Sequence, residues 1–294
     1  MSKVDYLLRS VVRHRDADRQ RCPNCGAKNS ILIERKLVVT ELRRCDACMM
    51  MFRTPTDAPA EAADFYNHEY AQGFTTDMPE APALAELKAR GFTGTEKDYS
   101  YYIDVLRQLG APPGAKLFDF GCSWGYGSYQ FARAGFDTLS YEISAPRRRF
   151  GVENLGVQAV SDFEAWANSP EAEATMDVFF SAHVLEHVPS PSLIIALAQR
   201  VLKPGGLFVA FVPNGSAAFR SVSPTWSRLW GEVHPNFLDE VFFNAALSRS
   251  PRLFGASPVT IDEAARGFLT SGDPSHRQLD DLKTAEMLCA ARLN

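Results

Sequence analysis

KLFDFGCSWGYGSYQFARAGFDTLSYE, Lys116 to Glu142, decides the architecture of this chain. An apolar run ends at Gly121 and Gly125, an amphipathic stretch follows, and a second apolar run closes on Glu142. The pattern reads as strand, glycine turn, helix and strand. Glycine lets the backbone approach a ligand closely, and the start of the following helix offers N–H groups that have no partner within the helix. Glu142 falls about twenty residues beyond the loop, where a carboxylate can accept hydrogen bonds from two ribose hydroxyls.

The same texture continues downstream. DTLSYEIS, VQAVSDF, MDVFFSAH and GGLFVAFVPN are strand candidates, separated by helix-like stretches such as APRRRFGVENLG and SLIIALAQRVLKPG. Such alternation implies an α/β fold with a parallel, doubly wound sheet and a ligand site at the carboxyl ends of its strands. The third strand ends at Ser161-Asp162-Phe163, an acidic and an aromatic residue suited to an adenine amino group and ring. Glu142 or Asp162 alone reads equally well as a surface carboxylate or a helix cap. A Lys/Arg-rich phosphate cradle is missing, which fits a cofactor without phosphates. A nicotinamide dinucleotide is the alternative, but Gly121, Gly125 and Gly127 do not make its G-x-G-x-x-G spacing.

Upstream lie two C-x-x-C pairs, Cys22/Cys25 and Cys45/Cys48. Four thiolates at this spacing close a tetrahedral shell around Zn²⁺ and leave no position for water, so the ion is expected to hold structure and not to do chemistry. Two disulfides are the competing reading, disfavoured where thiols stay reduced. ILIERKLVVTEL between the pairs suits two short strands of a zinc ribbon. Residues 1–20 read as an amphipathic helix and residues 62–109 as interrupted helix. Cys122 and Cys289 read as core residues. The expected division is 1–56 for the N-terminal helix and ribbon, 57–112 for a helical linker or lid, and 113–294 for the α/β domain.

A net charge of −4 and a pI of about 5.9 argue against a general nucleic-acid binder. Arg147 to Arg149 read as a solvated run. The apolar runs fall short of the ~20 residues that span a bilayer, so no membrane insertion is expected. The amino terminus lacks signal-peptide character, and these features place the chain in the cytoplasm.

FDFGCSWGYGS, FFSAHVLEHVPSP and LKPGGLFVAFVPN, in this order, resemble motifs of the class I S-adenosylmethionine-dependent methyltransferases. The resemblance covers roughly residues 99–294. The paired cysteines followed by FYNHEY resemble a bacterial subgroup in which a zinc ribbon precedes this domain, many members of which modify sugars, polysaccharide precursors or secondary metabolites. The resemblance implies a Rossmann-like, mostly parallel seven-stranded sheet. It also implies S-adenosylmethionine as cofactor, with Asp119, Gly121 and Gly125 lining its methionine part and Cys122 among the binding positions. Glu142 would then hold the ribose, with Asp162 and Phe163 at the adenine. Ser123 departs from the family by standing where glycine is usual, at a cost of roughly 1 kcal/mol if its φ is positive.

Methyl transfer asks mainly for proximity and orientation, with a base where the nucleophile must lose a proton. His183, Glu186 and His187 share a face on a helical turn, and His234 lies in the region that usually forms the acceptor wall. Ordering of the loop is an equal reading for the histidines. The turn is also a candidate for a divalent ion. Ubiquinone-pathway and small-RNA methyltransferases place a metal on Glu-x-x-Glu-His, and here His183 replaces the first glutamate. Trp226, Trp230, Phe237, Phe242 and Phe243 offer rings to stack on an acceptor or a face to pack on the sheet, and Tyr66, Tyr70, Tyr99, Tyr101 and Tyr102 offer a lid. The expected function is methyl transfer to a small-molecule acceptor, a hydroxyl of a sugar or polysaccharide precursor. The alternatives are an RNA methyltransferase docking its substrate through the ribbon and a non-catalytic binding module.

Overall fold

The computed structural model describes residues 10–36, 38–58 and 77–293. FYNHEY, Tyr66, Tyr70 and residues 1–9 of the expected N-terminal helix lie outside the described residues.

Three antiparallel strands form the ribbon: β1 (Ser30–Lys36), β2 (Thr40–Cys45) and β3 (Met51–Thr54). The main sheet begins with β4 (Lys116–Phe120), β5 (Asp137–Tyr141), β6 (Gln158–Val160), β7 (Met176–Ala182) and β8 (Leu202–Pro213). All of these pair in parallel, as strands joined by crossover helices must. β9 (Asn236–Phe237) leaves this domain and pairs antiparallel with β3, completing a four-stranded N-terminal sheet. β10 (Arg252–Ala256), β11 (His276–Gln278) and β12 (Glu286–Leu293) complete the main sheet, in the order β11-β10-β12-β8-β7-β4-β5-β6. The seven expected strands are present, and the three-residue β11 adds an eighth at the edge.

Central strands are apolar throughout because both faces are covered. Phe118, Phe179 and Phe208 stack across β4, β7 and β8, with ring centroids 5.6 and 5.8 Å apart. Leu117, Val178, Phe180 and Val209 point the other way, onto Ile103 and Leu106 of the helix Ser100–Gln108 and Phe131 of the helix Tyr126–Arg133. β12 slots antiparallel between β8 and β10, so its first residue, Glu286, arrives beside Pro213 at the carboxyl end of β8.

The ribbon is joined closely to the α/β domain. Cys22, Cys45, Met50 and Phe52 are continuous with the main core, and Leu42 and Met51 pack with Trp230 and Phe237. Arg44 donates to Asp239, Lys36 to the Trp230 carbonyl, and Trp230 Nε1 to Glu34.

Candidate cofactor and acceptor site

A cavity of about 1240 Å³ opens at the carboxyl ends of β4, β5 and β7. At its β4 end the turn is held by local chemistry. Gly121 has φ +86°, and a Cβ there would lie 2.2 Å from Val184 Cγ2, so only glycine lets the turn pass beneath that side chain. Ser123 takes a left-handed φ of +52°, as its departure from glycine implied, and two contacts fix it. Its amide donates to Glu142 Oε2 at 2.9 Å, and its hydroxyl accepts from Arg147 at 3.1 Å. The other Glu142 oxygen accepts from the Ser144 amide at 2.8 Å, so one carboxylate ties the first turn to the end of β5. Burial pushes the Glu142 carboxyl up, opposed by these amides and by the Arg147 charge.

Gly121, Glu142, Asp162 and Phe163 all border the cavity. Asp119, Cys122 and Gly125 do not. The pleat turns Asp119 away from Phe118 and Phe120 toward the next helix, where it accepts from Ser128 Oγ at 2.6 Å and is 2% exposed. Burial pushes its carboxyl up to about 7, against the pull of the Ser128 hydrogen bond. The Cys122 thiol is buried, and Gly125 caps the helix Tyr126–Arg133. These three support the turn from behind. Asp162 does cap a helix, accepting from the Ala165 amide at 3.0 Å, while it also faces the cavity. Phe163 belongs mainly to the aromatic core beside Phe118 and Phe120.

Three bordering features escaped the sequence reading. Ile143 and Leu193 present half-exposed apolar side chains to the cavity, suited to the flat face of a heterocycle. Arg147, expected in a solvated run, is 4% exposed and engaged with the glycine turn. An apolar residue directly after Glu142 was the only signal for Ile143. The purpose of Arg147 depends on helix packing that no local pattern encodes.

At the other end lie the histidines. His183 follows β7 with φ +55°, and its Nε2 lies 2.6 Å from Glu286 Oε1, which also accepts from Tyr102 at 2.8 Å. Burial works against the charged ring, but Glu186 and Glu286 outweigh it and raise the imidazole to about 10. The sequence groups His183 with proton acceptors, whereas here Glu186 and Glu286 favour its charged form. His187 is the opposite: 8% exposed, its imidazole pushed down by burial against the pull of Glu186. Its Nδ1 donates to the Val233 carbonyl at 2.7 Å, because a carbonyl can only accept. His234 lies beside it, ring centroids 4.8 Å apart, with Nδ1 donating to the Leu229 carbonyl at 3.0 Å. His183, His187 and His234 border the cavity, and Glu186 lies buried beneath them.

The aromatic candidates near His234 divide. Phe237, Phe242 and Phe243 are fully buried and Trp230 nearly so, which excludes them from stacking on an acceptor. Tyr99, Tyr101 and Tyr102 border the cavity but are packed in place, Tyr99 edge-on to Tyr102 at 4.9 Å and over Gly127.

The ribbon and β9 brace this end of the cavity from behind. The Asn236 amide donates to the Glu186 carbonyl and its side chain to Val188 O. Asn24, inside the first cysteine pair, accepts from the Ser192 amide at 2.9 Å and donates to Ser192 Oγ at 2.8 Å. The four sulfurs lie within 4.8 Å of one another, with Cys22–Cys48 and Cys25–Cys45 at 3.6 Å. A tetrahedral zinc shell with ~2.3 Å bonds has sulfurs about 3.8 Å apart, so the donor set fits the ion. Both turns are built alike. The amides of Gly26 and Met49 donate to the carbonyls of Cys22 and Cys45, and both residues have positive φ.

Comparison with known proteins agrees with this geometry. The family model described as "Methyltransferase domain" matches residues 118–210. The chain is 35% identical over 116 residues to a ubiquinone biosynthesis O-methyltransferase of Xanthomonas oryzae pv. oryzae, covering 36% of this chain and 46% of that protein. It is 33% identical over 123 residues to the protein of the same name from Hahella chejuensis, covering 40% and 51%. The chain thus spans about half the length of these relatives. In fold it is similar to a geranyl diphosphate C-methyltransferase from Streptomyces coelicolor A3(2), with a TM-score of 0.52 at 17% identity over 81% of this chain and 99% of that one.

Proposed function

Given that the chain carries a class I S-adenosylmethionine-dependent methyltransferase domain, we propose that it methylates a hydroxyl group of a small-molecule acceptor, with a sugar or polysaccharide precursor as the acceptor class to test first. The observation that carries this reading is a single cavity with two chemically distinct ends. Glu142 and the glycine turn stand at one end, and His187 and His234 at the other. S-adenosylmethionine supplies a sulfonium methyl group when bound. Glu142, Gly121, Asp162, Ile143 and Leu193 are the residues to hold it, and Arg147, the cation that borders the cavity beside the turn, is spent on Ser123, which suits a ligand without phosphates. The acceptor enters beside His187, His234 and the loop after β7. The name of the Xanthomonas relative supports oxygen as the methylated atom.

An RNA acceptor is less well supported, because the arginines flanking the second cysteine pair are engaged internally, Arg43 with Glu41 and Arg44 with Asp239. A non-catalytic module is disfavoured by the way Ser123 is integrated into the cofactor turn. The four cysteines are proposed to hold one structural zinc. Calorimetry should give a micromolar-range dissociation constant for S-adenosylmethionine, and absence of binding at millimolar cofactor would refute the reading. A panel of sugar and phenolic hydroxyl acceptors then identifies the substrate class.

A further inference from the structure

We propose that Arg147 is the positioning residue of the cofactor turn. Acting through the Ser123 hydroxyl, it holds the backbone in a conformation that glycine would reach unaided. Ser123 has φ +52°, in the left-handed region that residues other than glycine enter at a cost. Such a backbone persists where several contacts over-determine it. Here the Glu142 carboxylate accepts from the Ser123 amide at 2.9 Å, and Arg147 Nη1 donates to Ser123 Oγ at 3.1 Å. The first contact would serve any residue at this position. The second needs a side-chain oxygen, so the serine and the arginine act as a pair.

The packing of its helix, Ala145–Leu155, brings Arg147 to this place. Gly151 lies one turn further along the same face. A Cβ there would sit 3.0 Å from the Trp124 carbonyl oxygen, so glycine lets the helix lie against the backbone of the turn. That approach carries Arg147 onto Ser123, with the arginine 4% and the serine 8% exposed. Arg147 and Arg148 stand in the first turn of the helix, where the backbone dipole opposes cations. Arg148 donates to the Glu142 carbonyl at 2.6 Å, and Arg149 is exposed. Arg147 is buried against the dipole. Part of its compensation is the Ser123 hydroxyl, and part is the Glu142 carboxylate, which burial disfavours and the guanidinium charge supports. Ser123, Glu142 and Arg147 all border the cavity, so a shift of the turn reshapes the end proposed to hold S-adenosylmethionine. The effect on the cofactor rests on the methyl-transfer reading; the order of the ligand-free turn does not.

The test is a double-mutant cycle on the full-length, zinc-loaded chain with two readouts. One is the calorimetric dissociation constant for S-adenosylmethionine, and the other is hydrogen exchange of residues 120–126 without ligand. Arg147→Met keeps an apolar stem and removes the donor. It should weaken cofactor binding at least about fivefold and speed exchange in the turn by a similar factor. In a Ser123→Gly background the same substitution should change neither readout by more than about twofold, because the hydroxyl it acts through is gone. Arg149→Met, from the exposed part of the same run, should match wild type in both. Arg147→Met without effect overturns the proposal. So does an equal effect in both backgrounds, which would make Arg147 a general support of the fold. Should Arg147→Met fail to fold, the cycle runs with Arg147→Lys, which keeps the charge and moves the donor, and the same dependence on Ser123 decides. A wild-type chain that binds no S-adenosylmethionine refutes methyl transfer, and exchange in the turn still decides the pair. Cofactor binding without coupling between the two positions refutes the pair alone.

Discussion

Glu142 joins two jobs in one side chain. It pins Ser123 and Ser144 through their amides, and it borders the cavity, where on the proposed reading it holds the ribose. Glu142→Ala should therefore weaken cofactor binding by roughly 10- to 100-fold, about 1.5–3 kcal/mol, with the dissociation constant by calorimetry as the check. Asp119 gives a pH signature. Its carboxyl is raised to about 7 in the fold, so the folded state holds a proton that the unfolded chain releases near the ordinary carboxylate value. Its contribution to stability is complete below about pH 4 and is lost as pH rises through about 7. Asp119→Asn, which keeps an acceptor for Ser128, should flatten thermal stability across that window and be relatively more stable at pH 8. Parallel melting curves of wild type and variant over pH 4–8 would contradict this assignment.

The loop after β7 and the first cysteine turn behave as one element. Asn24 reaches from between Cys22 and Cys25 to Ser190 and Ser192, and Ser190 and the residues before it border the acceptor end. Removing those hydrogen bonds by Asn24→Ala should cost about 1–2 kcal/mol of local order. The expected kinetic result is a severalfold rise in acceptor KM with cofactor affinity unchanged, because Glu142 and Gly121 lie at the other end of the cavity. An equal loss of cofactor affinity would mean that the two ends are coupled. Sequence reading anticipated β1, β2 and β4 to β8, since each carries its own periodicity and turn residues, but not β3, which follows the second cysteine pair. It did not anticipate β9, a two-residue strand whose identity comes entirely from pairing with β3.

Across the molecule, the ribbon braces the loop after β7 through Asn24, and on the proposed reading metal content and acceptor binding should be linked. One zinc per chain is expected. Its removal by a chelator, or Cys22→Ser, should loosen residues 21–56, since a structural ion contributes folding free energy. Hydrogen exchange should also rise in residues 183–192 while S-adenosylmethionine still binds; protection unchanged in both segments would show that the cysteines are not holding the ribbon. The sequence by itself determined the parallel α/β sheet, the cysteine quartet and the glycine turn ending at Glu142. Each of these follows from periodicity or spacing within a few tens of residues, which local sterics and ligand geometry make readable. Only the tertiary structure decided that Asp119 supports the turn from behind, that His183 pairs with Glu286, and that Glu186, His187 and His234 converge. Those outcomes depend on the pleat of β4, on the antiparallel insertion of β12 and on β9 crossing to the ribbon. Long-range pairings of this kind set which charges meet in a buried space, and the free energy of a buried charge depends on its neighbours more than on its own identity.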